Sequence, residues 1–348
     1  MSAVVIVLIA LMLVDAKIAP VGSFWEDYSR PVRSNALKGI FVMAVFISHI
    51  RGYITIGDED ALAVSLSFFL GQLMVTPFLF FSGFGVMESI RKKGTDYVRR
   101  IPVHRAIKTW IHFAASVVLF WVLNWVLHIP MTLRDMLLSL VGWVSVGNSA
   151  WYVFTVFFLY LITAVSFLIF RKNELAGLIC TTVLTFAYIF LMIPLRISMW
   201  YNTALCYVFG MWYSFLRPWV EKVVMRSDAC FCGCLLAAFY IFRKLMEFRT
   251  YSSWIYQLYA IFFMVLLIGI SMKFRLDNPF LQFLGRHTFS IYILQRIPMR
   301  FLEARGIFID DHVTMFILSF LTTCLLAIVF DCFLSWLDSR IFDRKVSV

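Results

Sequence analysis

The chain has 348 residues, 62% of them hydrophobic and only 15% charged, with a mean hydropathy of +0.86. Soluble domains carry about 25% charged and 45–50% apolar residues, so a soluble globular enzyme is excluded. The 37 Phe, 11 Trp and 14 Tyr exclude a disordered chain. Apolar runs without a period of two argue against a transmembrane β-barrel. The expected fold class is all-α, a polytopic membrane helix bundle.

In chain order, apolar segments fall at about 1–16, 36–54, 63–90, 106–128, 150–170, 174–193, 197–216, 229–247, 252–272, 279–301 and 312–337. With roughly 20 residues needed per span, this predicts about ten core helices plus one N-terminal helix. The shorter run Leu133 to Gly147 reads as re-entrant or interfacial. The first segment has no basic region before its apolar stretch and no small-residue cleavage site, so it is expected to be a retained short span, not a secretory signal. The chain divides into an N-terminal helix and linker (1–34), a membrane domain (35–340) and a cytoplasmic tail (341–348).

The formal net charge of +11 reads mainly as topology. Cytoplasmic loops carry the Lys/Arg excess, and running the segment after Asn35 from inside to outside puts most basic residues on the cytoplasmic side. The largest cluster there is Arg91, Lys92, Lys93, Arg99, Arg100, Arg105 and Lys108, while the acidic loop Asp58, Glu59, Asp60 falls outside. Arg243, Lys244 and Arg249 run against this orientation. Because the charges are spread over separate loops, nucleic acid is not the expected partner. The lipid bilayer is. The seven cysteines lie in apolar runs without metal-ligand spacing and read as small buried residues. No repeat of 20 to 50 residues and no matching halves are visible.

The most informative stretch is Asn35-Ala-Leu-Lys-Gly-Ile-Phe-Val-Met-Ala-Val-Phe-Ile-Ser-His49. Lys38 and His49 are eleven residues apart, about three helical turns, so one face presents both, roughly 16 Å apart along the axis. Ionisable groups in a span are costly and usually functional. The packing alternative has Lys38 snorkelling to the interface and His49 as a hydrogen-bonded residue near the other one. Asp331 and Glu88 read first as partners for cations. His104, His112, His128 and His312 sit at span ends, with no ligand spacing beside a carboxylate, so no metal is expected.

The pattern resembles the first core helix of the acyltransferase 3 family of integral membrane acyltransferases. There a Leu-Arg-Gly-like start is followed eleven residues later by a catalytic histidine, and here Lys38 stands at the basic position. Phe81-Ser82-Gly83-Phe84 is similar to the family's Ser-Gly-Phe segment. Arg100 and Arg105, around Pro102, stand near its pair of arginines. Trp151-Tyr152 with Phe157 and Tyr160 is similar to the aromatic opening of the next core helix. Leu284-Gly285-Arg286 through Ser290, Tyr292 and Gln295 resembles a late Leu-Gly…Ser…Tyr-Leu-x-His segment, with Gln295 replacing the final histidine.

The resemblance implies an O-acyltransferase moving an acyl group, acetyl above all, from cytoplasmic acyl-CoA to a hydroxyl of a surface glycan or its lipid-linked precursor, in the cytoplasmic membrane of a prokaryote. No cofactor is expected beyond acyl-CoA as co-substrate. Such a donor needs cations at the interface, for which Arg33, Lys38, Arg99, Arg100 and Arg105 are the candidates, and a polar catalytic group deeper in. His49 suits a general base, with Lys38 as its companion cation. A covalent acyl-histidine is the minority variant. Trp151, Tyr152 and Gln295 are the acceptor-side candidates, with interfacial aromatics as the alternative reading of the first two. Basic residues of the loop also serve topology or anionic headgroups. The competing classes are a transporter exporting glycan precursors, with His49 relaying protons, and a non-catalytic partner in a polysaccharide-synthesis complex.

Overall fold

The computed structural model describes residues 1–171, 173–276 and 278–342. It is all-α, with 79% helix. Hydrocarbon offers no hydrogen bonds to backbone groups, and a helix satisfies all of its own within one segment. Among the described residues the strands are β1 (Lys17–Ile18) and β2 (Phe274–Arg275), an antiparallel pair with Lys17 opposite Arg275. The proposed tail, 341–348, lies outside the described residues beyond Phe342.

Helix α1 (Ser2–Leu13) has 12 residues, about 18 Å long. The first apolar segment therefore does not by itself cross a core of roughly 30 Å. Helix α2 (Pro31–Ile50) starts with Pro in its first turn, where the missing N–H costs nothing. Then come α3 (Ala61–Leu70), α4 (Thr76–Ile101) and α5 (Lys108–Val126), a helical run broken by left-handed Gly71 and Gly94 and by a π-turn over Pro102–Ile107. The short α6 (Leu133–Leu140) packs on α5, where Trp110 Nε1 donates to the Leu140 carbonyl and Trp121 Nε1 to Ser139 Oγ.

After it come α7 (Ala150–Ile169), α8 (Glu174–Met192), α9 (Leu205–Val224), α10 (Asp228–Phe248) and α11 (Ser253–Lys273), then α12 (Pro279–Arg286), α13 (Thr288–Leu294), α14 (Arg296–Ala304) and α15 (His312–Ile341). Among the described residues seven helical stretches are long and apolar enough to cross a membrane, one of them the whole run Asp58–Val126. Four more segments are expected from the sequence: the first forms only the short α1, 63–90 and 106–128 fall within the one run Asp58–Val126, and two others fail for local reasons. Helix α9 carries Arg217, Glu221 and Lys222. Segment 279–301 is cut at His287 and Gln295, and Pro298 lacks the N–H that would bond the Leu294 carbonyl.

Two helix crossings set the site. A Cβ on Gly83 of α4 would lie 1.9 Å from the Tyr207 carbonyl oxygen of α9, and one on Gly210 of α9 would lie 2.1 Å from that of Phe80. Likewise a Cβ on Gly285 of α12 would lie 2.0 Å from the Asn35 carbonyl oxygen of α2, and one on Gly39 would lie 2.5 Å from that of Leu281. Only glycine lets the backbones approach this far. The neighbours of three of these glycines, Lys38, Ser82 and Arg286, line one cavity. Polar ties hold α15 to the bundle: His312 Nδ1 to Asp60, Asp331 to His287 and Ser290, and Asp338 to Lys108 and His112. Asp331 thus has a histidine and a serine as partners.

Candidate active site

A cavity of about 1150 Å³ opens among α2, α4, α7, α9, α12 and α13. Its rim is set by residues at the basic ends of these helices and the linker before α2: Glu26, Arg30, Lys92, Lys93, Glu221 and Arg286. Lys38 and Arg105 line its wall. Arg105 Nε donates to Tyr97 Oη at 3.0 Å, and Ser82 Oγ and Tyr160 Oη share a hydrogen bond of 2.7 Å. Part of the rim is internally neutralised: Arg217 lies 3.9 Å from Glu88 and 3.7 Å from Glu221, and Glu88 also accepts from Ser214 Oγ at 2.8 Å. The remaining cations leave a surplus of positive charge facing the space.

The inner wall is aromatic. Phe78 lies near the start of α4 and Tyr152 near the start of α7. The Tyr152 ring sits 5.2 Å from that of Tyr292 and 6.2 Å from that of Phe78, both edge-on. All three line the cavity. On the far side of Tyr292 a second polar region begins. Tyr292 and Ser149 face each other, the Arg296 guanidinium lies within electrostatic range of Tyr292 and of the His49 imidazole, and Arg300 and Glu303 are within range of Tyr53.

His49 is therefore not in the cavity wall. Its Nδ1 is buried without a protein hydrogen bond, as are Ser149 Oγ, Asn148 Nδ2, Tyr292 Oη, Gln295 Oε1 and Arg296 Nε. These atoms come from α2, the loop before α7, α13 and α14, brought together by the broken 279–304 segment.

The structure divides the sequence-predicted residues. Lys38, Arg105 and Tyr152 meet at the cavity. Arg33 is held in an ion pair with Asp27 at 2.7 Å, outside the cavity lining. Arg99 and Arg100 lie at the exposed end of α4, also outside it. A helix turns successive residues 100° apart, so neighbouring arginines cannot all face one cavity. Trp151 packs in the core beside Tyr152, and Gln295 is fully buried, donating Nε2 to the Tyr292 carbonyl at 3.0 Å. Neither lines the cavity.

Sequence reasoning missed Arg217, Arg286, Tyr292 and Arg296. Arg286 and Tyr292 lay inside the late motif, and Arg217 is four residues before Glu221 on an apolar helix, a spacing that was available as a signal. It also saw no ligand set, whereas Glu59, Asp60 and His312 place one ligand atom each within 4.8 Å of one another. His312 Nδ1 lies 3.0 Å from Asp60 Oδ2 and 3.7 Å from Glu59 Oε1. Residues so far apart in the chain give no local spacing to read.

No curated protein and no solved structure matches the chain. A sequence profile described as the acyltransferase domain of acyltransferase 3 matches residues 32–334, from the start of α2 to near the end of α15. Its span takes in both crossings, the His49 region and all of the cavity lining but Glu26, Ser29, Arg30 and Pro31, and the chain belongs to the acyltransferase 3 family, as a membrane acyltransferase.

Proposed function

We propose that the protein transfers an acetyl group from cytoplasmic acetyl-CoA to a hydroxyl of a surface glycan or its precursor, with His49 as general base and the basic end of the bundle facing the cytoplasm of a prokaryotic cell. The observation that carries this reading is the cation-rimmed cavity whose aromatic inner wall separates it from His49. Lys38, Arg105 and Arg286 suit phosphate oxygens, and a long flexible arm suits a deep cavity. The thioester reaches His49 once Tyr152 and Tyr292 part.

In the transfer step the unprotonated His49 nitrogen takes the proton of the acceptor hydroxyl as its oxygen attacks the thioester carbonyl carbon. The tetrahedral intermediate collapses with cleavage of the C–S bond. The thiolate leaves and takes the proton from the imidazolium, giving an ester and free CoA thiol. Direct transfer needs no covalent enzyme intermediate.

The test is free-thiol release from acetyl-CoA by the purified chain in the presence of a glycan acceptor, for the wild type and His49→Gln. Glutamine keeps hydrogen-bonding capacity and cannot take a proton at neutral pH. Loss of about 10² to 10⁴-fold in rate with acetyl-CoA binding retained is the expected result. Thiol release by His49→Gln at the wild-type rate would remove the base from the mechanism. Absence of release from the wild type, with glycan moved across the membrane, would make the protein a transporter.

A further inference from the structure

The region around His49 holds more positive charge than its own structure uses. Arg296 and Arg300 lie four residues apart on α14, hence on one face. Among the described residues neither is salt-bridged to a carboxylate, and Glu303 shares their neighbour Tyr53. Both are half-buried, and a cation taken partly out of water is costly unless it is paired or meets a ligand. Arg296 Nε is buried with no hydrogen bond. Arg300 Nη1 donates to the Val146 carbonyl at 2.9 Å, which also accepts from Asn124 Nδ2 at 3.0 Å.

The loop before α7 is shaped around these side chains. Gly147 has φ +106°, and a Cβ there would lie 1.7 Å from Arg300 Nη1, so the guanidinium occupies space that only glycine leaves open. The same loop delivers Asn148 and Ser149, 3% and 6% exposed, with Nδ2 and Oγ unbonded. Tyr292 and Gln295, 4% and 0% exposed, add two more unbonded oxygens. Buried polar atoms left unsatisfied are costly, and several of them beside two unpaired arginines describe a site that a polar ligand completes.

We propose that Arg296 and Arg300 form an oxyanion subsite next to His49, so that the acyl acceptor is a hydroxylated molecule carrying a carboxylate or phosphate beside the hydroxyl that is acylated. The inference rests on the reading of His49 as the acyl-transfer base and adds the substrate class. Guanidinium forks match planar carboxylates and phosphates with paired donors. Ser149, Asn148, Gln295 and Tyr292 supply donors and acceptors for hydroxyls. The fixed charge positions the neighbouring hydroxyl against the imidazole.

The experiment is isothermal titration of the full chain in lipid nanodiscs with methyl β-glucuronide, glucose 6-phosphate and the neutral methyl β-glucoside. One of the charged probes binds at least about tenfold more tightly than the neutral one. Its affinity falls with added salt while that of the glucoside does not. The preference disappears in Arg296→Gln and in Arg300→Gln and persists in Arg105→Gln, which alters only the donor cavity. A stronger glucuronide identifies the carboxylate, and a stronger sugar phosphate identifies the phosphate. Equal binding of charged and neutral probes, binding of none, a preference that survives both α14 variants, or one lost equally in Arg105→Gln overturns the subsite. The salt dependence needs no variant, so a misfolded substitution cannot mask the answer. Thiol release from acetyl-CoA is read separately, and its failure marks the base mechanism instead of the subsite.

Discussion

The basic end of the bundle and the His49 region hold their charges by different means. Around the cavity, Arg217 is shared between Glu88 and Glu221, and Lys92 lies 3.8 Å from Glu88. Around His49, among the described residues, Arg296 and Arg300 have no carboxylate partner, and several polar atoms are buried without a hydrogen bond. An open rim can leave its remaining cations to water and mobile anions, whereas buried polar atoms must be satisfied internally or by a ligand. The Tyr152–Tyr292 contact is the boundary between these regimes.

The comparison breaks most readily at the cavity wall. Replacing Lys38, Arg105 and Arg286 together by Gln is expected to raise the acyl-CoA concentration needed for half-maximal thiol release by more than tenfold, since each loses a charge-assisted contact. The double variant Arg99→Gln, Arg100→Gln, at the exposed end of α4, is expected to change it less than twofold. Equal effects of the two sets would show that general positive charge, and not the cavity wall, recruits the donor.

Next in size are the crossings that carry Lys38 and Ser82 to the cavity. Gly83→Ala places a methyl against the Tyr207 carbonyl and forces α4 and α9 apart, an overpacking cost of about 1–3 kcal/mol. It is read as a fall in thermal unfolding temperature in detergent. Gly85→Ala, where a Cβ would meet nothing within 4 Å, is the control and should leave that temperature unchanged.

The smallest effect belongs to the linker. Burial pushes the Asp27 carboxyl up, but hydrogen bonds and charge from Arg33, with the charges of Arg275 and Arg30, outweigh it and hold Asp27 below its ordinary value. A carboxyl depressed in the folded state contributes stability above its unfolded pKa, and that contribution is lost as pH falls through the folded value. Asp27→Asn should therefore cost under about 1 kcal/mol at neutral pH. Its difference from wild type should begin to shrink below roughly pH 4 and vanish only below the lower pKa of the folded state, in an unfolding series against pH. Acyl-CoA dependence should not move, because Arg33 stands outside the cavity.

Much of the fold was legible because bilayer physics acts on composition. Long apolar runs become helices whatever their neighbours are, and most of the expected segments coincide with helices. Segment 279–301 was not legible as three helices, since Pro298 and the His287–Asp331 contact act through a local defect and a partner 44 residues away. Of the candidate site, Lys38 and His49 could be read from helical spacing on one element. Arg33 could not be separated from Lys38 as a cavity residue, because its engagement depends on Asp27 across a turn of linker.

By itself the sequence determined an all-helical membrane protein and the family motifs, including the glycines beside Lys38, Ser82 and Arg286. These follow from hydropathy and residue type, which every stretch carries locally. Only the tertiary structure decided which cations share a cavity, that Tyr152 meets Tyr292, and that Arg296 comes close to His49 with no carboxylate partner among the described residues. Those facts depend on where separate helices cross, and the crossings are fixed by close backbone contacts between residues more than 100 positions apart, such as Gly83 with Tyr207 and Gly285 with Asn35.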